Sequence, residues 1–418
     1  NWPQISLRYS PNAGWAAIYL SQDQRNAVVQ GNYFGTNASG TATVGSSTGY
    51  DIYDSASASQ IGGMGVGEGN LFSGQAYVHI FVASTNTPAS ARLIQGNRFG
   101  LDANGLALGN ATHAIQMASG ASTNTLIGGT NAAAANTITG HSAAAIVLAD
   151  GNTGVSVLGN SIYGNAALGL DLGVSGVNAN TGALDNSKAN KGMNMPVLTS
   201  AIYDAATQTI AIAGYVGSTA NQSLFANARV EVFLSDNDPS GYGEGKEFLG
   251  FITSDANGNF SNTLALGAGQ LMAGDRLTAT ASDSAGNTSE FSAQTTAAST
   301  TPSAPARFNA FETSTSSGSL SGVIKTKVAA QNSTLAVIAI DNAGTALASD
   351  FTGTVTLEWL QASDNSGGLS AGQCRSSWVA SGAAGVASFT TADAGRKNIS
   401  LTPVSVGREW RLRMTYAP

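Results

Sequence analysis

The sequence predicts an all-β protein in which a parallel β-helix is followed by two β-sandwich domains. The first 172 residues contain a repeat, no stretch has the 3.6-residue period of a helix, and runs after Met193 alternate apolar and polar residues. The 418 residues include 51 glycines and are 42% hydrophobic, which is enough to bury real cores. A wholly disordered chain is therefore excluded.

The repeat consists of three interleaved series of aligned positions. The first is a short β-type run, the second is the string Gly-Asn-x-aromatic or aliphatic, and the third is an alternating run. The aligned apolar residues of the first and third series are Val29, Ile61, Ile94, Ile127 and Val157, and Ile52, Ile80, Ile115, Ile146 and Leu170. Each repeat supplies three short strands, so five coils of a parallel β-helix are predicted over residues 1–192.

The second series predicts two stacks along the axis of the coils. An inward apolar stack is expected from Phe34, Phe72, Phe99, Ile138 and Ile162. A corner stack, in which each amide bonds to the next, is expected from Asn32, Asn70, Asn97, Asn136 and Asn160. Insertions alternate between two corners, with residues 35–49 and 100–112 at one and 62–69 and 128–135 at the other. Such loops extend outward, where a ligand would bind.

The strings VVQGNYFGTNASGTATVG, LIQGNRFGLDANGLALGN, NTLIGGTNAAAANTITG and NSIYGNAALGLDLG resemble the repeats of secreted bacterial surface proteins of the CSLREA type. The resemblance covers Arg25 to about Ser200 and implies a right-handed parallel β-helix. The segment GVNANTGALDNSKANKGMNMPVLTSA resembles the end of those repeats. The family resemblance implies an exported or adhesin-like chain rather than a particular activity.

The residues after the repeat predict two sandwiches. Strands are expected at Thr209–Tyr215, Ala228–Leu234, Glu247–Thr253, Phe260–Leu266 and Arg276–Ser282, within a domain of residues 193–296. Its end, LTATASDSAGNTSEFS, resembles bacterial Ig-like modules. Residues Thr295–Ala306 predict a Pro/Ser/Thr linker.

Residues 303–418 predict the second sandwich. Its expected strands lie in FNAFETS, SGVIKTKVA, STLAVIAID, GTVTLEWLQAS, GVASFTTADAGRKNISL and REWRLRMTY. The strings FNAFET, GVIKTKVA and ADAGRKNIS resemble a module of MSHA-biogenesis proteins of the MshQ type, which implies an Ig-like fold and a cell-surface context. That module is expected to hold a cysteine pair, whereas this sequence has only Cys374. Whether Cys374 is free, or bonded to a partner or to residues outside this sequence, stays open.

The charge excludes some partners. The net charge is −7, and no lysine precedes Lys188, so a basic groove for nucleic acid is not expected. No apolar run approaches the roughly 20 residues of a membrane span. A single cysteine and abundant Gly, Asn, Ser and Thr favour an exported bacterial protein over a cytosolic enzyme.

A search for catalytic residues yields no assembled site. Parallel β-helices often cleave acidic polysaccharides with paired carboxylates, but Asp51, Asp54 and Asp171 are predicted to be scattered turn or surface acids. The repeat pattern predicts that Asp171 aligns with Val147, Gln116, His79 and Asp51. The sequence therefore predicts no catalytic, cofactor-binding or metal-binding residue.

The histidines and Cys374 give no stronger indication of chemistry. His79, His113 and His141 lie in different coils without ligand spacing, so solvated or ladder-flanking positions are expected. Cys374 has no local His partner, which argues against a nucleophile.

Two weaker ligand signals remain. Asp236, Asp238 and Glu244 offer oxygen ligands for calcium within one loop, as do Asp102 with Asn104, but both strings are also ordinary turns. Tyr33 and Tyr53 should point outward, where sugars stack on rings, although single surface aromatics are common.

The sequence therefore predicts an extracellular stalk, adhesin or fibre subunit of a bacterial surface that acts by shape and has no enzymatic activity. Ahead of the first coil only a weak rung is seen, Ile5–Leu7 with Ala16–Leu20, so either further N-terminal residues or a neighbouring subunit is expected to close the open edge. In the second case, end-to-end or strand-donating contacts would build a polymer. The rival hypothesis is a protein that binds or cleaves polysaccharide.

Overall fold

The computed structural model describes residues 16–22, 25–44, 49–56, 58–74, 77–83, 91–109, 111–205, 207–299, 305–325, 327–328, 330–363, 377–402 and 410–416. These residues form two compact units, 1–298 and 299–418. Both are built almost entirely from strands, which confirms the all-β class. Among the described residues, no helix has the length and apolar character needed to cross a membrane.

Residues 16–172 form three parallel sheets, and each pass of the chain, here called a coil, adds one strand to each sheet. Sheet A contains Ala16–Leu20, Tyr50–Asp54, Val78–Val82, His113–Met117, Ile146–Leu148 and Leu170–Leu172. Sheet B contains Arg25–Val29, Ala58–Gly62, Arg92–Gln95, Thr125–Gly128 and Val155–Leu158. Sheet C contains Tyr33–Phe34, Leu71–Phe72, Arg98–Phe99, Thr137–Thr139 and Ser161–Tyr163. We call this part of the first unit the parallel stack.

The strand register confirms the predicted apolar alignments. Ile61 pairs with Val29 and Ile94 in sheet B, and Ile80 pairs with Ile52 and Ile115 in sheet A. In sheet C the rings of Phe34, Phe72 and Phe99 stack with centroid distances of 4.7 Å. These side chains form one continuous buried core because the same inward position recurs in every coil.

Tight corners between sheets require glycine at particular positions. Gly96 precedes a corner asparagine with φ +64°, and a Cβ there would lie 2.1 Å from the carbonyl oxygen of Gly63 in the preceding coil. The left-handed backbone and the close approach both favour a residue without a side chain.

The rest of the first unit consists of two four-stranded sheets around a second core. Sheet D orders Asn259–Ala265, Thr209–Val216, Pro196–Asp204 and Ala298–Ser299, and sheet E orders Gly245–Thr253, Arg229–Ser235, Arg276–Ser282 and Thr295–Thr296. The five strands predicted for this region are all present, with bounds shifted by at most two residues at an end. The start of the predicted linker is instead strand, because Thr295 and Thr296 pair with Leu277 and Arg276.

The second unit has two three-stranded antiparallel sheets. One orders Arg307–Glu312, Ser333–Ile340 and Arg396–Leu401, and the other orders Trp378–Phe389, Gly353–Ala362 and Trp410–Tyr416. The strand expected in SGVIKTKVA is wrong for the described residues of that segment. Val323 accepts one backbone bond from Glu312, and Lys325 donates its N–H to the Glu312 side chain, so side-chain contacts replace a strand ladder there.

Four short 3-10 helices complete the described structure: Ala132–Ala134, Ala189–Gly192, Ser223–Phe225 and Thr391–Asp393. The first lies in an insertion loop of the parallel stack. The side chain of Asn131 begins it by accepting the N–H of Ala133 at 2.9 Å.

Candidate functional site

The corner asparagines form the predicted hydrogen-bonded ladder. The Oδ1 of Asn97 accepts both the backbone N–H and the side-chain amide of Asn70, at 3.0 and 2.9 Å. Its own amide donates to Asn136 at 3.0 Å and to the Ile61 carbonyl at 2.9 Å. The same pattern repeats from Asn32 to Asn160. Asn97 is fully buried, so this corner is a structural element with every amide group bonded.

Two of the three histidines are inside the stack, so solvated positions are wrong for them. His79 Nδ1 lies 2.6 Å from the Asp51 carboxylate, with both side chains buried, and the His79 ring meets the ring of His141 edge-on at 5.6 Å. His141 Nδ1 lies 2.9 Å from Asn165 Oδ1. Burial and the neighbouring His79 lower the pKa of His141 to about 3, so its imidazole is neutral at ordinary pH.

His113 occupies a ladder-flanking position, as expected. It begins a strand of sheet A, is half-buried, and its Nδ1 lies 2.6 Å from the Ala144 carbonyl oxygen.

Asp51 and Asp54 of sheet A are interior groups, which corrects the prediction of surface positions for these two acids. Asp54 is fully buried and accepts a 2.7 Å bond from Arg92 Nε and a bond from the N–H of Ala56. Arg92 also donates to the Ala56 carbonyl at 2.9 Å. The pair is missed from sequence because 38 residues separate the two partners, and only the coil register brings them together.

The alignment of Asp171 with His79 and Asp51 is also wrong. The register places Asp171 beside Val147 and continues through Gln116 and Phe81 to Tyr53. The residues in register with Asp171 are thus Phe81 and Tyr53, each two positions after His79 and Asp51 in its own strand. Burial raises the pKa of its carboxyl.

The last coil is closed by carboxylates from the following sheets. Glu244 is fully buried, and its two oxygens accept the backbone N–H and the side-chain amide of Asn165 at 2.9 and 2.8 Å. Burial raises the pKa of Glu244 to about 8, and the nearby Asp236 carboxylate adds to the shift. Glu244 thus satisfies the backbone N–H and the side-chain amide of Asn165, which would otherwise donate to acceptors on a further coil.

Two further glutamates act in the same way on the other sheets of the stack. Glu290 accepts the N–H of Leu172 at 3.0 Å and that of Asn178 at 2.8 Å. Glu231 accepts the N–H of Gly159 at 2.7 Å. Burial raises the pKa of both carboxyls. We call Glu231, Glu244 and Glu290 the cap glutamates.

Apolar and amide contacts complete the cap. Phe233 and Phe291 pack onto the core of the stack, Thr288 Oγ1 accepts the N–H of Val157 at 3.0 Å, and Asn287 accepts that of Gly154 at 2.7 Å. Sequence reasoning missed this role, because strand alternation does not show that a buried glutamate faces the backbone of a distant coil.

The candidate calcium loop belongs to this cap. One oxygen of Asp236 accepts the N–H groups of Asp238 and Glu244, and the other accepts that of Gly164 at 2.7 Å. Asp102 likewise bonds the N–H groups of Asn104 and Leu106. Within the described ranges, no group of three His, Cys, Asp or Glu residues is arranged to hold a metal ion. Cys374 lies outside the described residues.

The insertion loops wall a groove of about 1090 Å³ whose floor is the outer face of sheet C. Tyr33, Leu71 and Arg98 follow one another along the floor in register. Its lining residues are Gly31, Asn32, Tyr33, Phe34, Gly35, Thr36, Asn37, Ala38, Val44, Gly63, Met64, Gly65, Gly67, Gly69, Asn70, Leu71, Gly96, Arg98, Ala103 and Ala133. The loops of the first and third coils are joined by a bond from the Ala103 N–H to the Gly40 carbonyl at 2.9 Å.

The two tyrosines predicted to point outward do so in different surroundings. Tyr33 is 47% exposed in the groove. Tyr53 is half-buried in a row on sheet A, with its ring 5.5 Å from Tyr19 and 5.3 Å from Phe81. Tyr33 is thus the more accessible ring of the two.

No family model matches the chain. A solved structure described as a tetra-tandem repeat in the extending region of a large adhesion protein is 14% identical to it. That likeness covers 53% of this chain and 47% of the other, with a TM-score of 0.18. The match thus spans less than half of the length of that solved chain.

Proposed function

We propose that this chain is an extracellular structural or adhesive protein of a bacterial surface that acts by shape and contact, without catalysis. In this proposal the parallel stack is a right-handed β-helix, and each pair of antiparallel sheets is an Ig-like sandwich. Self-association into a surface fibre belongs to the same proposal.

The observation that supports it best is the use of the buried carboxylates. Glu244 and Glu290 bind backbone N–H groups of the last coil, and Asp54 neutralises Arg92 inside the stack. A hydrolase or lyase needs such groups at a cleft, facing substrate. Here Glu244 and Glu290 hold the following sheets onto the last coil, and Asp54 with Arg92 stabilises the interior of the stack. Both roles suit a protein that acts as a rigid structural element of a surface.

Localisation and attachment test this proposal. Antibodies against the purified chain should label intact cells of the source bacterium in electron micrographs, and deletion of the gene should reduce attachment of those cells to a surface. Protein found only inside the cells would contradict it.

Sedimentation tests the self-association. Concentration-dependent oligomers of the full chain are expected, because unpaired strand edges favour association. A monomer at all concentrations would refute the fibre hypothesis.

The groove favours a second function, the binding of polysaccharide. Incubation with a glycan panel separates binding from cleavage. New reducing or unsaturated ends would establish an enzyme and overturn the non-catalytic proposal.

A further inference from the structure

We propose that Tyr50 and Tyr77 form a site of oxidative cross-linking, at which hydrogen peroxide and a haem peroxidase join the two rings as dityrosine. The inference rests on the proposed extracellular function, because an exported chain meets oxidising conditions that a cytosolic chain does not. It is carried by the distance between the two rings, the angle between their planes and the access of solvent to one of them.

The two tyrosines belong to a cluster of aromatic side chains on sheet A. Tyr50 begins the strand Tyr50–Asp54, and Tyr77 directly precedes Val78, which pairs with Tyr50 in the next strand of the sheet. The two rings therefore come from successive coils. A covalent bond between them would join the first coil to the second.

The arrangement of Tyr50 and Tyr77 is close to that of the coupled product. Their ring centroids are 5.3 Å apart with planes at 62°, and the two side chains are hydrogen-bonded to each other. A bond between two phenol hydroxyls brings together the ring carbons beside each hydroxyl, and these are the carbons that couple. The rings of dityrosine are twisted about the bond that joins them, so planes that already cross need little rotation.

The neighbouring tyrosine pairs fit the reaction less well. Tyr19 and Tyr53 lie face to face, with centroids 5.5 Å apart and planes at 24°, so coupling would require one ring to turn. Tyr50 and Tyr53 cross at a suitable angle of 60°, but both are half-buried and so less open to an oxidant. Tyr77 is 46% exposed. Oxidation that begins at Tyr77 finds Tyr50 as its hydrogen-bonded neighbour.

The coupling balances in atoms and electrons. The peroxidase removes one electron and one proton from each phenol, and these two electrons and two protons reduce one molecule of hydrogen peroxide to two molecules of water. The two phenoxyl radicals then form a carbon–carbon bond. The hydrogen atoms on the bonded carbons move to the two oxygens as the phenols re-form, so the product is lighter than the starting chain by two hydrogen atoms.

The experiment treats the full-length protein with hydrogen peroxide and a haem peroxidase, and then digests it with a protease that cleaves after glutamate. Glu68 is the only glutamate between Tyr50 and Tyr77, so cleavage there separates the two tyrosines unless they are linked. We expect mass spectrometry to detect a linked peptide pair that is lighter by two hydrogen atoms. Absence of this pair, or coupling mainly between molecules or at other tyrosines, would overturn the proposal.

Substitutions and unfolding locate the site. Tyr77→Phe keeps the ring but lacks the phenol, so it should remove most of the dityrosine formed within one molecule. Tyr33→Phe is the matched control, because Tyr33 is 47% exposed but lies on sheet C. Equal losses in the two variants would contradict the assignment. Treatment in urea should abolish the preference for Tyr50 with Tyr77, and a preference that persists there would show that the fold does not create it.

Thermal unfolding measures what the bond does. The link closes a loop through residues 50–77, which restricts the unfolded chain as a disulfide does. Treated protein should therefore unfold at a temperature roughly 5 °C higher than treated Tyr77→Phe. Equal unfolding temperatures would refute a stabilising role of the bond.

The outcome can be told apart from that of the proposed function. Antibody labelling of intact cells without coupling of the purified chain refutes the cross-linking site alone. Coupling of the purified chain, with the protein found only inside cells, supports the site but refutes the extracellular function.

Discussion

Replacing Glu244 with glutamine should remove a pH dependence from the junction between the parallel stack and the sheets that cap it. The pKa of Glu244 rises from 4.5 in the unfolded chain to about 8 in the folded protein because the carboxyl is buried. The folded state therefore binds a proton more tightly than the unfolded state. Its stabilising contribution is complete below pH 4.5 and is lost as the pH rises through about 8.

The size of the effect follows from linkage. One proton released on unfolding corresponds to a slope of up to about 1.4 kcal/mol per pH unit in the free energy of unfolding. Glutamine does not titrate, so the Glu244→Gln variant should lose this slope. Its amide has one oxygen acceptor where Glu244 has two, so it can keep only one of the two bonds from Asn165. Glu244→Leu leaves the Asn165 N–H and amide without their carboxylate partner and should cost about 2 to 4 kcal/mol.

Hydrogen exchange of the full chain, read by mass spectrometry on peptides covering residues 155–178, measures this locally. Once intrinsic rates are corrected, protection in the unmodified protein should fall between about pH 5 and about pH 9. In Glu244→Gln this fall should be smaller but not absent, because burial also raises the pKa of Glu231 and of Glu290. Glu247→Gln is the matched control, because Glu247 is an exposed residue three positions along the chain. Protection that rises with pH, or an equal effect of Glu247→Gln, would refute the reasoning.

Three further predictions concern the interior of the stack. Asn97→Ala removes the acceptor of two buried Asn70 donors and should lower the free energy of unfolding by about 2 to 5 kcal/mol in urea titrations. Asn32→Ala, at the half-buried end of the ladder, should lower it by about 1 kcal/mol or less. Equal losses in the two variants would contradict the ladder argument. Arg92→Leu leaves the buried Asp54 without its cationic partner and should lower the free energy of unfolding by about 3 to 5 kcal/mol. The double variant, which adds Asp54→Leu, should recover much of that loss. Additive effects in the double-mutant cycle would argue against the ion pair. The pKa of His141 falls from 6.5 in the unfolded chain to about 3 in the folded protein, so the free energy of unfolding should decrease as the pH drops from 6.5 toward 3. His141→Gln should therefore flatten the acid limb of a plot of melting temperature against pH. An unchanged acid limb would refute this role of His141.

The repeat positions were predictable from the amino-acid sequence, because each coil must place the same kind of residue at the same inward or corner site. Val29, Ile61 and Ile94 recur at nearly equal spacing, and the register pairs them as expected. The corner asparagines were predictable for the same reason. A periodic structure leaves a periodic signal in the sequence.

The tertiary structure alone decided which partners the buried ionisable groups have. Asp51 and His79, Asp54 and Arg92, and Glu244 and Asn165 are separated by 28, 38 and 79 residues. None of these pairs repeats from coil to coil, so no period marks them. A buried charge requires a specific partner in three dimensions, and only the register of the coils and the docking of the next sheets supply it.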